Sequence, residues 1–212
     1  MKDYGWNWSK FAGTADDIRW GRTDLANLDE AIAVVPNKGV ALQAGGNIGL
    51  FAKRLAQEFD WVYTFEPQPK LFTELVKNAP ESNIFRYQAA VGCKPDHITL
   101  KSTRRDGSAA RHLGVTHVVE APGPVPTIRL DDFQFPRCDL LYLDVEGWEP
   151  NAILGARDTI RRCRPVIAVE INKSLDYVGV HPDALRGLIL DAGYTLLKKV
   201  RSDEIYIPKE RL

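Results

Sequence analysis

Four stretches of this 212-residue chain combine residue types able to hold a nucleoside and move a proton. The first is Gln43-Ala44-Gly45-Gly46-Asn47-Ile48-Gly49, whose glycines allow a tight turn and close approach of the backbone to a ligand. The second is Glu66, 21 residues past Gly45, near the ~20-residue spacing at which a carboxylate accepts hydrogen bonds from a ribose diol. Alone, a Glu before Pro67 would equally be a solvated strand end; together with the glycine loop it reads as a ribose ligand. The third is Asp144-Val145-Glu146-Gly147-Trp148. On an extended backbone Asp144 and Glu146 point the same way, and their proximity would raise one pKa, so the pair is a candidate catalytic acid/base unit. Glu146 could instead cap the next helix or pair with an arginine. Gly147 would admit a substrate, and Trp148 is either a stacking wall for it or core. The fourth, Arg104-Arg105-Asp106-Gly107-Ser108, is a solvated turn or a loop closing over a base, with Ser108 or Asp106 bonding it.

Positioning these residues requires strands that end together. The apolar pattern predicts strand Val40–Ala44, helix Ile48–Glu58, strand Trp61–Glu66, helix Lys70–Asn78 and strand Ile84–Gln88, a βαβαβ series that builds a parallel sheet. Upstream, Leu25, Leu28, Ile32 and Val35 share one face of a helix that Asp24 can cap. Short strand candidates His97–Lys101, Thr116–Glu120 and Pro126–Leu130 predict a hairpin and a loop. Cys138–Val145 is nearly all apolar, as a central strand buried on both faces should be, which places Asp144 at its C-terminal end, where open α/β sheets bind ligands. Helix Pro150–Arg162, strand Pro165–Ile171 and helix Pro182–Ala192 follow. The closing strands Tyr194–Val200 and Glu204–Pro208 are too close in sequence to pair other than antiparallel. The expected fold is α/β, a Rossmann-like, mostly parallel sheet with a C-terminal antiparallel hairpin. It forms one domain over residues 22–212 behind an aromatic arm, residues 1–21, carrying Trp6 and Trp8.

The loop and Glu66 would serve NAD as well as S-adenosylmethionine (SAM). The phosphate-binding form G-x-G-x-x-G is absent, because Asn47 and Leu50 occupy its third and sixth positions. SAM has no pyrophosphate to seat on a helix N-terminus, so this departure points away from a dehydrogenase. The whole pattern resembles the FkbM family of SAM-dependent methyltransferases. The resemblance runs through the glycine loop, Thr64-Phe65-Glu66-Pro67, Ala89-Ala90-Val91-Gly92 and Leu143-Asp144-Val145-Glu146-Gly147, and covers about residues 40–171. It implies a class I methyltransferase fold and methyl transfer to a hydroxyl of a saccharide or other small acceptor. The cofactor would then be held by Gln43, Gly45, Gly46, Asn47, Gly49, Glu66, Pro67, Ala90, Ser108 and Asp144. Asp144 and Glu146 would orient its amino group or take the acceptor's proton, with Trp148 against the substrate. The family usually has Asp where this chain has Gln43, which removes a negative charge near the sulfonium but keeps an acceptor.

Lysine and arginine total 28, against 28 aspartate and glutamate, so no global positive field draws the chain to nucleic acid or an anionic membrane. RNA ribose 2′-O-methylation, with Asp144 and Lys173 beside the acceptor, is therefore the weaker enzyme reading, and a SAM- or nucleoside-binding module without catalysis is a third. Cys93, Cys138 and Cys163 include no CxxC, which suits reduced thiols, and without a signal pattern or a membrane-length apolar run the expectation is a soluble, cytoplasmic protein. Glu170 beside Asp144 could hold a divalent metal, but a structural role is the stronger expectation. The four histidines show no metal spacing, so no metal site is predicted.

Overall fold

Residues 25–102, 116–119 and 122–212 are described by a computed structural model, in which the alternating apolar runs become two sheets. The strands are β1 (Val40–Ala44), β2 (Trp61–Phe65), β3 (Ile84–Tyr87), β4 (Ala90–Val91), β5 (Asp96–Ser102), β6 (Thr116–Val119) and β7 (Val125–Ile128). After them come β8 (Leu140–Leu143), β9 (Val166–Glu170), β10 (Tyr194–Val200) and β11 (Asp203–Pro208). The helices are α1 (25–33), α2 (Leu50–Ala56), α3 (Pro69–Asn78), α4 (Glu149–Gly155), α5 (Arg157–Cys163) and α6 (Pro182–Asp191). The larger sheet runs β10-β11-β9-β8-β1-β2-β3. Its five strands from β9 to β3 are parallel, and β11 lies antiparallel to both β9 and β10.

Successive residues of a strand face opposite sides, and here both sides are covered. Leu42, Leu141, Leu143, Ile167 and Val169 pack on one face with Ile153, Ile160, Leu185 and Ile189 of α4, α5 and α6. Ala41, Leu140, Tyr142, Val166 and Ala168 pack on the other with Leu28 and Ile32 of α1 and Phe51 and Leu55 of α2. Two-sided burial is why β1, β8 and β9 read as unbroken apolar runs. It also fixes where their C-terminal ends, and the site residues on them, must lie.

Three expectations change. The predicted hairpin is present, β5 pairing antiparallel with β6, but it belongs to a four-stranded sheet of order β4-β7-β5-β6 with its own core of Ala90, Ile98, Val118, Val125 and Trp148, and the predicted loop at residues 104–108 lies outside the described residues. The single helix predicted over Pro150–Arg162 is two helices that meet at Ala156 (φ −111°, ψ 9°). The break has a cause: the Asp131 carboxylate accepts the amides of Asp158 (3.0 Å) and Thr159 (2.8 Å), capping a new helix start. Gly155 meanwhile lies so close to Gly92 that a Cβ would overlap its carbonyl oxygen. The extended backbone expected through Val145 stops at Leu143, and Glu146 adopts φ 53°. The same-face spacing of Asp144 and Glu146 therefore does not hold.

Candidate functional site

The strand-to-helix loop after β1 is shaped by the protein's own backbone. Gly45 sits at φ 92°, where a Cβ would overlap the carbonyl oxygen of Asp144, and a Cβ on Gly46 would run into the Leu75 side chain. These glycines thus let the chain turn tightly, as expected, and also let β1 close against β8 and α3. Asn47 (φ 47°) and Gly49 (φ 95°) complete the turn in left-handed conformations. Every amide of the loop has a protein acceptor. Gly45 and Gly46 donate to Phe65 O (3.0 and 2.8 Å), Asn47 to Glu66 Oε2 (2.7 Å), Ile48 to Asn47 Oδ1 (2.8 Å) and Gly49 to Gly46 O (2.9 Å). A pyrophosphate seated here would have to displace those bonds.

Glu66 closes this arrangement. Its second oxygen accepts the Gln68 amide (2.8 Å), and the side chain is only 5% exposed. Burial raises its pKa to about 7 despite the two amide bonds, which act to lower it. Each carboxylate oxygen carries more than one lone pair, so both can still accept a hydroxyl. Gln43 is fully buried one strand away: Thr64 Oγ1 donates to its carbonyl oxygen, and its amide nitrogen donates to Gly45 O (2.7 Å). Its polar ends are engaged within the loop and the neighbouring strand. Pro67, half-buried, follows Glu66.

On the far side of β1, half-buried Asp144 follows the last residue of β8, and its pKa is pushed well up, first by burial and then by the carboxylates of Glu170, Glu146, Glu149 and Asp203. Asp144 and Glu146 are thus electrostatically linked although their backbone is not extended. Glu170 is held by the protein, accepting from Asn172 Nδ2 (2.6 Å) and Ser202 Oγ (3.1 Å). Among the described residues no group of three or more His, Cys, Asp or Glu is arranged to hold a metal ion.

Trp148 is 6% exposed and packs into the core of the smaller sheet with Ala90. It also lines a cleft of about 330 Å³ with Gly92, Thr127 and Asn151, and its indole N–H has no hydrogen-bond partner among the described residues. Ser108, Asp106 and the aromatic arm lie outside the described residues. One site residue escaped sequence reasoning, Glu149. It is fully buried, and its Oε1 accepts the amides of Val145 (3.0 Å) and Gly147 (3.3 Å), tying the turn that precedes α4; the helix itself has no side-chain cap. A Glu at the first position of a helix behind a Glu-Gly turn was the available signal.

A glycine loop, an acidic strand end one strand away and an acidic end on β8, all at the C-terminal edge of a seven-stranded sheet with β11 reversed, define the class I SAM-dependent methyltransferase fold. The likeness extends to solved structures. N-methyltransferase NodS from Bradyrhizobium japonicum matches with a TM-score of 0.54 at 10% identity, over 91% of this chain and 99% of that one. Magnesium protoporphyrin IX methyltransferase (ChlM) from Synechocystis, with bound SAM, matches with a TM-score of 0.50 at 15% identity, over 95% and 89%. Within that class the chain belongs to the Methyltransferase FkbM domain family, which it matches over residues 43–196, from the glycine loop into β10. Two relatives are each 27% identical to it. They are 2-O-methyltransferase NoeI of Sinorhizobium fredii, over 59% of this chain and 60% of that protein, and Methyltransferase 1 of Beauveria bassiana, over 60% and 62%. The chain therefore matches only about 60% of the length of these relatives. No helix of the described residues is long and apolar enough to cross a membrane.

Proposed function

We propose that this chain is a SAM-dependent methyltransferase that methylates a hydroxyl of a saccharide or another small acceptor. The observation that carries the cofactor assignment is the closed set of loop amides beside Glu66. The cradle offers a carboxylate to a ribose and no unbonded amide to a phosphate, which suits a nucleoside cofactor without a pyrophosphate. Gly45, Gly46, Asn47 and Gly49 would shape the seat, with Glu66 on the ribose hydroxyls and Pro67, Ala90 and Ser108 toward the base. When bound, SAM supplies an electrophilic methyl group on a sulfonium.

The chain's own task is then to place an acceptor oxygen, keep water out and receive a proton. Asp144 fits the last role, since a carboxylate with a raised pKa is a better proton acceptor near neutral pH, and Glu146 stands beside it as a second candidate. Gln43 carries no charge, so attraction for the cofactor's cationic end would rest on Asp144 and its neighbours. The hydroxyl acceptor is supported by the 2-O-methyltransferase relative, and the zero net charge favours a small acceptor over nucleic acid.

Isothermal titration with SAM and S-adenosylhomocysteine (SAH), followed by transfer of labelled methyl to a panel of glycans and small alcohols, tests this. Micromolar binding and labelled product are expected. No binding of either ligand refutes the cofactor assignment, and binding without transfer to any acceptor leaves a non-catalytic SAM-binding module.

A further inference from the structure

The turn between β8 and α4 is an unusual piece of backbone. Glu146 (φ 53°) and Gly147 (φ 96°) are successive left-handed residues, and left-handed backbone at a residue with a side chain is disfavoured by about 1–2 kcal/mol. Gly147 is also wedged against the backbone of Ser174, where a Cβ would overlap the carbonyl. What holds the turn is Glu149 Oε1, which accepts the amides on either side of Glu146. The other oxygen, Oε2, is fully buried and has no hydrogen-bond partner among the described residues. A residue needed only to cap two amides would not require a buried carboxyl with an idle oxygen beside other acids.

We propose that Glu149 is the positioning residue of the site: by holding the 145–147 turn it sets where Asp144 and Glu146 present their carboxylates, and its ionisation switches how firmly that turn is held. This deepens the methyltransferase assignment and rests on it for its link to catalysis. The groups that act on Glu149 support the switch. Burial raises its pKa to about 7; the bonds from its own amide and those of Val145 and Gly147 oppose this, and the Glu170 carboxylate on β9 adds to it. Asp144, just past β8, feels the carboxylates of Glu149, Glu146, Glu170 and Asp203, so the charges acting on this turn from the described residues include a cluster of acids. Above pH 7 Glu149 is an anion holding two amides by charge-assisted bonds; below it, a neutral acid holding them more weakly.

The test compares wild type, E149Q and E149A. Amide shifts of Val145 and Gly147 are followed from pH 5 to 9 by NMR, and SAH affinity is measured at pH 6 and pH 8. In wild type both amides should titrate near pH 7, and in E149Q that titration should vanish. E149Q should bind SAH within ~3-fold of wild type at pH 6 and ~10-fold more weakly at pH 8, where the charge-assisted bonds are missing. E149A leaves two amides unpartnered and should lose ~10-fold or more at both pH values. A purely structural role would lower the melting temperatures of both variants while leaving the pH dependence of affinity as in wild type, and that result overturns the proposal. So do amides of Val145 and Gly147 that ignore pH in wild type. If wild type binds neither SAM nor SAH, the methyltransferase assignment fails, and the amide titration alone still decides whether Glu149 controls the turn.

Discussion

Replacing Glu66 with Gln should flatten the pH dependence of stability by an amount the structure sets. The carboxyl titrates at about 7 in the fold and at its ordinary 4.5 once exposed. The folded chain therefore holds an extra proton between those values, so stability is full below pH 4.5 and falls as pH rises toward 7, levelling off above it. At ~1.4 kcal/mol per pH unit of displacement, the loss between pH 5 and pH 8 from Glu66 is about 2.5 kcal/mol. A chain of this size loses ~2–4 °C in Tm per kcal/mol, so Glu66 contributes ~5–10 °C to the difference between the two pH values. In E66Q that portion should disappear. One of the two amides, Asn47 or Gln68, would then face an NH2 group in place of an oxygen, so the variant should be ~1–2 kcal/mol less stable than wild type at pH 5. At pH 8 it should match or exceed wild type. Thermal and urea melts at both pH values provide the assay, with SAH titrations alongside. If ribose hydroxyls donate to the ionised carboxylate, SAH affinity in wild type should weaken up to ~10-fold per unit as pH drops below 7. A pH dependence of stability in E66Q identical to that of wild type would refute the assignment of a buried, proton-holding Glu66.

Other expectations are local. Gly45→Ala combines a positive φ with overlap of the Asp144 carbonyl, so it should cost ~3 kcal/mol or more and abolish SAH binding; a wild-type melting temperature would contradict that close approach. Gln43→Asp removes the donor to Gly45 O and should destabilise by ~1–3 kcal/mol, while the added negative charge should raise the ratio of SAM to SAH affinity, measurable by parallel titrations. Arg164→Ala severs bonds to Ala192 O (2.7 Å) and Gly193 O (2.9 Å), the ion pair to Glu210 and the stacking over Tyr194. It should lower stability by ~2 kcal/mol without changing SAH affinity, as melts and titrations of the same preparation would show.

Elements whose signal is local were legible in the sequence. The apolar runs of β1, β8 and β9 predicted central strands because both faces are buried, and the three-residue link between Val200 and Glu204 forced the antiparallel hairpin. The break at Ala156 was hidden because its cause, the Asp131 cap, lies more than twenty residues upstream. The smaller sheet was equally hidden: its short strands were visible, but their pairing through β7 depends on contacts that no local pattern encodes. Within the site, spacing found the glycine loop and Glu66 as a unit. It did not reveal a second demand on Gly45, because the atom that a side chain there would overlap is on Asp144, 99 residues away in the chain. Glu149 was passed over because a Glu opening a helix reads as a solvated charge, and only the positive φ of Glu146 reveals that the turn needs an internal tie.

The amides of the glycine loop, each already bonded within the protein, bear on competition among cellular nucleotides. ATP, NAD and coenzyme A share an adenosine with SAM and differ from it by carrying phosphates. A pocket that recognised adenosine alone would admit them all. Here a phosphate brought against the loop would be stripped of water and meet a buried carboxylate, Glu66, with no idle amide donor in the loop to offset the loss. Discrimination would then come from withholding hydrogen bonds, and it would survive changes in the acceptor half of the site. One cradle of this kind could serve relatives that methylate unrelated molecules, because what it rejects does not depend on what they modify.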